Sequence, residues 1–169
     1  MELKKIVWAA ILAALSIVID IAFKMIIPLQ TMGTAYYAIP IIIGAIFLGP
    51  KYSIWIAFIS DFISVFIAGH TFFPLFSLAS TLWGVIPGFL LKGKTNLKRI
   101  LIVVFLTHLI VTTVNSFALY IHFHKTIEAL LVDLPLRYGL IIPNSLIIAI
   151  LVHASLIPIS DKNVFKISG

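Results

Sequence analysis

The sequence of 169 residues contains no cysteine. Disulfides, thiolate metal sites and thiol nucleophiles are therefore excluded. Charge is scarce as well: Asp, Glu, Lys and Arg make up 11% of the chain, against about a quarter in soluble domains. What fills the space is apolar, at 62% of residues. A body this small cannot hide that much apolar surface from water, so an ordinary soluble domain is excluded. Disorder is excluded by the same figures, because disordered chains are poor in apolar residues and rich in charge.

Long apolar runs occupy roughly residues 5–27, 35–49, 51–69, 75–91, 99–123 and 137–159. A membrane-spanning helix needs about 20 apolar residues. Six of them use most of the chain, which predicts an all-α integral membrane protein with one domain over 1–169. Pro28, Gly33, Gly49-Pro50, Gly69, Pro74 and Gly93 mark the breaks between runs. The second run is short and leans on the third across Gly49. Segments 28–34 and 124–136 read as the two substantial connections. Lys4 and Lys5 ahead of an apolar run resemble the front of a signal peptide. The run continues to about Ile27 without a small-residue cleavage site, so it is expected to be a retained first helix.

The 12 basic residues outnumber 6 acidic ones, and their placement carries the information. With six spans, Lys4, Lys5, Lys51, Lys92, Lys94, Lys98, Arg99, Lys162 and Lys166 share one side. Lys24, Lys125 and Arg137 lie on the other. This bias predicts that both termini are cytoplasmic, in a plasma-membrane protein with lipid rather than nucleic acid around it.

Two motifs lie at the cytoplasmic side. Gly88 to Thr95 formally matches the phosphate-cradling G-x-x-x-x-G-K-[ST] loop. That loop works between a strand and a helix, whereas this stretch closes a membrane helix and enters a basic loop, so it reads as a positive-inside anchor. In the first helix, Ala9 with Ala13 and Ala10 with Ala14 form two small-xxx-small pairs. Such pairs let helix backbones approach closely in lipid, either within the protein or against another membrane subunit.

Polar groups at membrane depth form a band. Counting along each helix from its outer end places Asp20 and Asn144 about 10 Å in, Asp61 and Asn115 about 12 Å, and Ser80 about 8 Å. An unpaired polar group in lipid is costly, so these side chains are expected to face one another or a ligand. Tyr36, Tyr37, Phe72, Phe73, Phe76, Tyr120 and Tyr138 map to the outer ends around this band. Some form an interfacial belt, but aromatic walls with a few fixed polar groups also make a small-molecule site. His70, His122, His124, Lys125 and Arg137 are the outer cations, and Arg137, placed at the opening of the sixth helix, best suits an electron-rich ligand group. His108 and His153 fall in the inner halves of neighbouring helices, where they could pair. His122 and His124 lack further ligands at metal-site spacing. Neither protease nor metal chemistry is recognisable, so no catalytic residue, metal or cofactor is assigned.

Several stretches resemble a known family. A chain of this length with six helices, an Ala-xxx-Ala first helix and a short second helix is similar to the S component, the substrate-binding subunit, of energy-coupling-factor (ECF) vitamin transporters. The local text is closest to the folate family of these subunits. Pro40 with Gly44 to Pro50, Asp61, Pro74 to Gly84, and Leu134 to Arg137 with Ile142 to Asn144 carry the similarity. Where that family has a Ser-Arg pair near the end of the first helix, this chain reads Asp20 to Lys24. A pyrimidine or pyridine vitamin precursor suits acidic and amide groups better than anionic folate does. The resemblance implies a non-catalytic importer subunit that captures a small aromatic vitamin of the folate, hydroxymethylpyrimidine or pyridoxine type. It implies docking through Ala9, Ala10, Ala13 and Ala14 onto a transmembrane coupling subunit driven by two ATPase subunits. Substrate contacts are expected from Tyr36, Tyr37, His70, Phe76, Ser80, Asn115, Tyr120, Arg137 and Asn144, with segment 28–34 as a lid. A stand-alone proton-coupled carrier or channel, using Asp20, Asp61 and the inner histidines, is the alternative.

Overall fold

The computed structural model describes residues 2–26, 34–124 and 126–161. Among them every regular element is helical: α1 (Glu2–Ile26), α2 (Ala38–Leu48), α3 (Pro50–Ile67), α4 (Pro74–Leu90), α5 (Leu97–Leu119), α6 (Ile127–Gly139) and α7 (Ile141–Asp161). A single π-turn, Tyr120–His124, extends the end of α5. Four helical stretches are long and apolar enough to cross a membrane, and α2 and α4 are shorter apolar helices.

Local chemistry sets the boundaries. Pro50 and Pro74 open α3 and α4 at positions where a missing N–H costs nothing. The Asn96 side chain caps α5 by accepting from the Lys98 backbone N–H at 2.9 Å. Gly49 alone joins α2 to α3, at φ +83°, a conformation that a side chain would strain. The leaning of the second run on the third across this glycine is thus observed.

The segment read as the second long connection is largely helical, which corrects that expectation. In α6, Ile127, Leu131, Val132 and Leu136 are exposed while Arg137 is buried. A helix that buries its Arg while its Ile, Leu and Val side chains face outward is inverted for water but suited to hydrocarbon. Its low average hydropathy disguised it as a loop. Arg137 accordingly lies in the last turn of α6 rather than at the opening of the final span. Backbone bonds from Leu140 to Leu136 and from Asn144 to Leu140 carry the ladder across the junction into α7. Pro143 has no N–H to offer Gly139, so the helix breaks there.

The short α2 is the axis of the bundle. Ala38, Ile41, Ile42, Ala45 and Ile46 are almost fully buried, and α2 packs against α1, α3, α4 and α7. The tightest neighbours are α3 and α4. A Cβ on Gly84 would overlap the Ser53 carbonyl, and Ser53 Oγ donates to the Gly84 carbonyl at 2.7 Å. The buried hydroxyls of Ser60, Ser64, Thr107 and Ser116 bond back to carbonyls of their own helices at 2.6–2.7 Å, which satisfies them without a partner helix. Outside, Trp55, Phe58, Phe62 and Phe66 run along the exposed face of α3. By contrast α1 contacts α2 and α3 alone among the described helices.

Candidate functional site

An 11-residue α2 is about 16 Å long, whereas the hydrocarbon core is about 30 Å thick. The axial helix therefore cannot fill the bundle from end to end. The space left beyond its first turn is a cavity of about 560 Å³. Thr34, Ala35 and Tyr37, just ahead of α2, form its floor side, and α1, α3, α4, α5 and α6 supply the walls.

Helical spacing brings the polar wall groups together. On α5, His108, Val111, Thr112, Asn115 and Leu119 recur at intervals of three and four, which puts them on one face. Asp20, Phe23 and Lys24 do the same on α1, and Asp61 and Val65 on α3. Asp20 is paired with Lys24 at 2.6 Å. Asp61 accepts a hydrogen bond from the Ser77 hydroxyl of α4, and it has no ion-pair partner among the described residues. The Tyr37 hydroxyl sits against Ser80 and Trp83, while its carbonyl accepts from Ser16 Oγ of α1 at 2.8 Å. Asn115 keeps its Oδ1 buried without a hydrogen-bond partner. Arg137, 6% exposed, reaches the cavity from α6, and Asp133 one turn earlier acts on it electrostatically.

Aromatic rings close the wall between α4 and the π-turn. Phe73 lies 4.5 Å from the His122 ring and 5.3 Å from Phe123, and Phe76 lies 6.2 Å from Phe123. Phe73, Phe76 and Phe123 face the cavity.

Of the residues expected to contact a ligand, Tyr37, His70, Phe76, Ser80, Asn115 and Arg137 line this cavity. Tyr36, Asn144 and Tyr120 do not. Tyr36 packs on Phe23 at 4.7 Å and donates to Asn144 Oδ1 at 3.0 Å, forming a strut from α1 past α2 to α7. Tyr120 begins the π-turn. The expected lid, 28–34, lies outside the described residues except for Thr34, as do Lys125, Lys162 and Lys166. Segment 34–37 and the helix ends near it supply Thr34, Phe23, Lys24 and Phe123, which the expected contact set omits. His108 and Thr112 were also absent from it. Their signal was present in the sequence as the His108–Thr112–Asn115 spacing on one helix.

The inner histidines do not pair. His108 Nδ1 lies 3.1 Å from Ser145 Oγ, and its ring is 5.5 Å from Trp83. His153 Nδ1 is 3.1 Å from the Thr95 carbonyl. No group of three or more metal-ligating side chains occurs among the described residues. The Gly88 to Thr95 stretch runs from α4 into a turn, where the Gly93 N–H donates to the Ile46 carbonyl of α2 at 2.9 Å.

A second hollow runs along the outside of the bundle between α1 and α3. Ala9, Ala10, Ala13 and Ala14 lie in it with Ile6, Ile17, Trp55, Ile56, Ile59 and Ile63. Ala10 and Ala14 are exposed and Ala13 is buried, so the two alanine pairs are divided between the groove floor and the packing of α1.

No curated protein and no solved structure matches the chain. The family model described as "ECF transporter, substrate-specific component" matches residues 4–160, nearly the whole length. A helical membrane bundle with a walled cavity at one end is thus a member of the ECF transporter substrate-specific components, a family of non-catalytic transporter subunits.

Proposed function

We propose that this chain captures a small water-soluble aromatic vitamin or vitamin precursor in the cavity beyond α2 and delivers it to an ATP-driven coupling module. The observation that carries this reading is the meeting of Asp61, Ser80, Asn115 and Arg137 with Tyr37, Phe73, Phe76 and Phe123 around one space. Fixed polar groups within aromatic walls select a flat, polar-edged ligand.

The bundle crosses the membrane six times, with α2 as a short crossing and α6 leading into the last one. Both termini lie in the cytoplasm, as the concentration of Lys and Arg there supports. The cavity then opens to the outside. The groove between α1 and α3 receives a helix of the transmembrane coupling subunit, since alanines allow close backbone approach. Two ATPase subunits drive that module.

The test begins with the protein purified in mild detergent, denatured, and its released small molecules identified by mass spectrometry. A stoichiometric aromatic vitamin is the expected result. A blank, together with no binding across a vitamin panel, overturns the binding reading. Proton-driven uptake by the chain alone in liposomes would instead establish an independent carrier.

A further inference from the structure

We propose that the turn between α4 and α5 binds an anionic phospholipid, with the Arg99 guanidinium on its phosphodiester and an acyl chain along the outer face of α5. The proposal needs the bundle to lie in a membrane and is independent of what the cavity holds.

Residues 92–99 carry four cations, Lys92, Lys94, Lys98 and Arg99, and all four are exposed. The sequence has no Asp or Glu between Asp61 and Glu128, and Asp20 with Lys24 is the only ion pair among the described residues. Two carboxylates belong to the same end of the bundle. Glu2 accepts from the Tyr52 hydroxyl, and its helix α1 touches neither α4 nor α5. Asp161 ends α7 eight residues past His153, whose ring reaches this turn at the Thr95 carbonyl, so it stands about 12 Å further along that helix. Lys4, Lys5 and Lys51 add positive charge at this end from α1 and α3, with Lys51 over the Tyr52 ring. Lys98 and Arg99 also occupy the first turn of α5, which holds no acidic residue. The helix macrodipole disfavours cations there. Charges set against one another and against the dipole are stabilised by an anion brought from outside.

Arg99 is held in place. Its Nε donates to the Leu90 carbonyl at the end of α4, at 3.1 Å, and its two terminal amino groups make no other bond among the described residues. Those amino groups form the planar fork that matches a phosphate. Ile102 and Leu106 follow Arg99 at intervals of three and four, on the same face of α5, and both are exposed. Phe89 and Leu90, at the α4 end to which Arg99 is bonded, are exposed as well. A cationic fork at the head of an apolar stripe has the order of a phospholipid, headgroup first and chain after it. A soluble anion would use the head alone. The formal phosphate-loop match of Gly88 to Thr95 falls on this same turn, but the Gly93 N–H is taken by the Ile46 carbonyl. The phosphate is therefore met by side chains and not by a backbone cradle.

The full-length chain in mild detergent is titrated with phosphatidylglycerol and with phosphatidylcholine of equal acyl length, and bound lipid is read by native mass spectrometry. The wild type is expected to prefer phosphatidylglycerol by about tenfold or more, a comparison that needs no variant. Arg99→Gln with Lys98→Gln is expected to abolish the preference. Lys4→Gln with Lys5→Gln removes the same charge at the same end and is expected to leave it in place. Glycerophosphoglycerol, the headgroup without chains, is expected not to compete where the lipid saturates. Equal binding of the two lipids by the wild type overturns the proposal. Equal loss in the two double variants also overturns it, since a diffuse field and not a site would then attract the lipid. Competition by the headgroup alone would make this a soluble-anion site, which overturns it too. An unchanged lipid preference in Arg99→Gln with Lys98→Gln, alongside lost attachment to a coupling subunit, would instead assign the cations to an acidic protein surface.

Discussion

The cavity and the lateral groove share two walls, α1 and α3, yet differ in almost everything else. On α1 the groove takes Ile6, Ala9, Ala10, Ala13, Ala14 and Ile17, whereas the cavity takes Asp20, Phe23 and Lys24. On α3 the groove takes Trp55, Ile56, Ile59 and Ile63, and the cavity takes Asp61 and Val65. The two spaces are of similar volume, but the groove is lined by Ala, Ile and Trp along most of its length, with Glu2, Lys51 and Tyr52 joining them, whereas the cavity carries polar groups on several helices. On the proposed reading, recognition of a solute and attachment to a partner are arranged along the same pair of helices. The Ser16 bond to the Tyr37 carbonyl joins α1, between the two regions, to the cavity floor.

The change expected to damage both regions at once is Gly84→Ala. Its new Cβ has no room against the Ser53 carbonyl, so α3 must separate from α4. Overpacking of backbone against backbone costs about 3 kcal/mol or more. A large fall in the melting temperature in detergent, with loss of ligand binding, is expected; an unchanged melting curve would mean that the two helices slide apart freely.

The next change separates the regions. Ala10→Leu with Ala14→Leu fills the exposed side of the groove and leaves the cavity wall untouched. Uptake in cells that contain the coupling module should be abolished while binding by the purified chain persists. Normal uptake by this variant would remove the groove from the docking surface. On the cavity side, Asn115→Ala should reduce ligand affinity by about 1–3 kcal/mol, the usual cost of one buried hydrogen bond, with docking unaffected in a pull-down of the coupling subunit. Equal affinity by calorimetry would place Asn115 outside the contact set.

The smallest effect belongs to the strut. Tyr36→Phe removes its bond to Asn144 and keeps the packing on Phe23. A loss of about 1 kcal/mol in stability is expected, with ligand affinity close to wild type. A large drop in affinity would return Tyr36 and Asn144 to the binding site.

The sequence carried the long helices well, because runs such as those of α1 and α5 exceed any soluble pattern. It carried the polar band nearly as well: Asp20, Asp61, Ser80 and Asn115 were brought together by depth alone, and they share one cavity. Depth does not report direction around a helix. Tyr36 and Asn144 face each other, and the arrangement of α1, α2 and α7 that decides this is a tertiary fact. Hydropathy also failed at α6, since Asp133 and Arg137 lower the average although the helix turns Arg137 inward. Phe23 and Phe123 were hidden by abundance, because 13 phenylalanines in one chain offer too many choices.

The π-turn at Tyr120–His124 gives the cavity wall an unusual dependence on chain length. Bonded from i to i+5, such a turn holds one residue more than an α-turn, and one residue corresponds to about 100° of rotation. Deleting a single residue there would restore regular winding and swing the following side chains by that angle. Phe123 would leave the cavity and His122 would leave Phe73, although no wall residue had been exchanged. Length in this segment therefore selects which ring faces the cavity, and a relative with one residue fewer would have a different wall from an almost identical text.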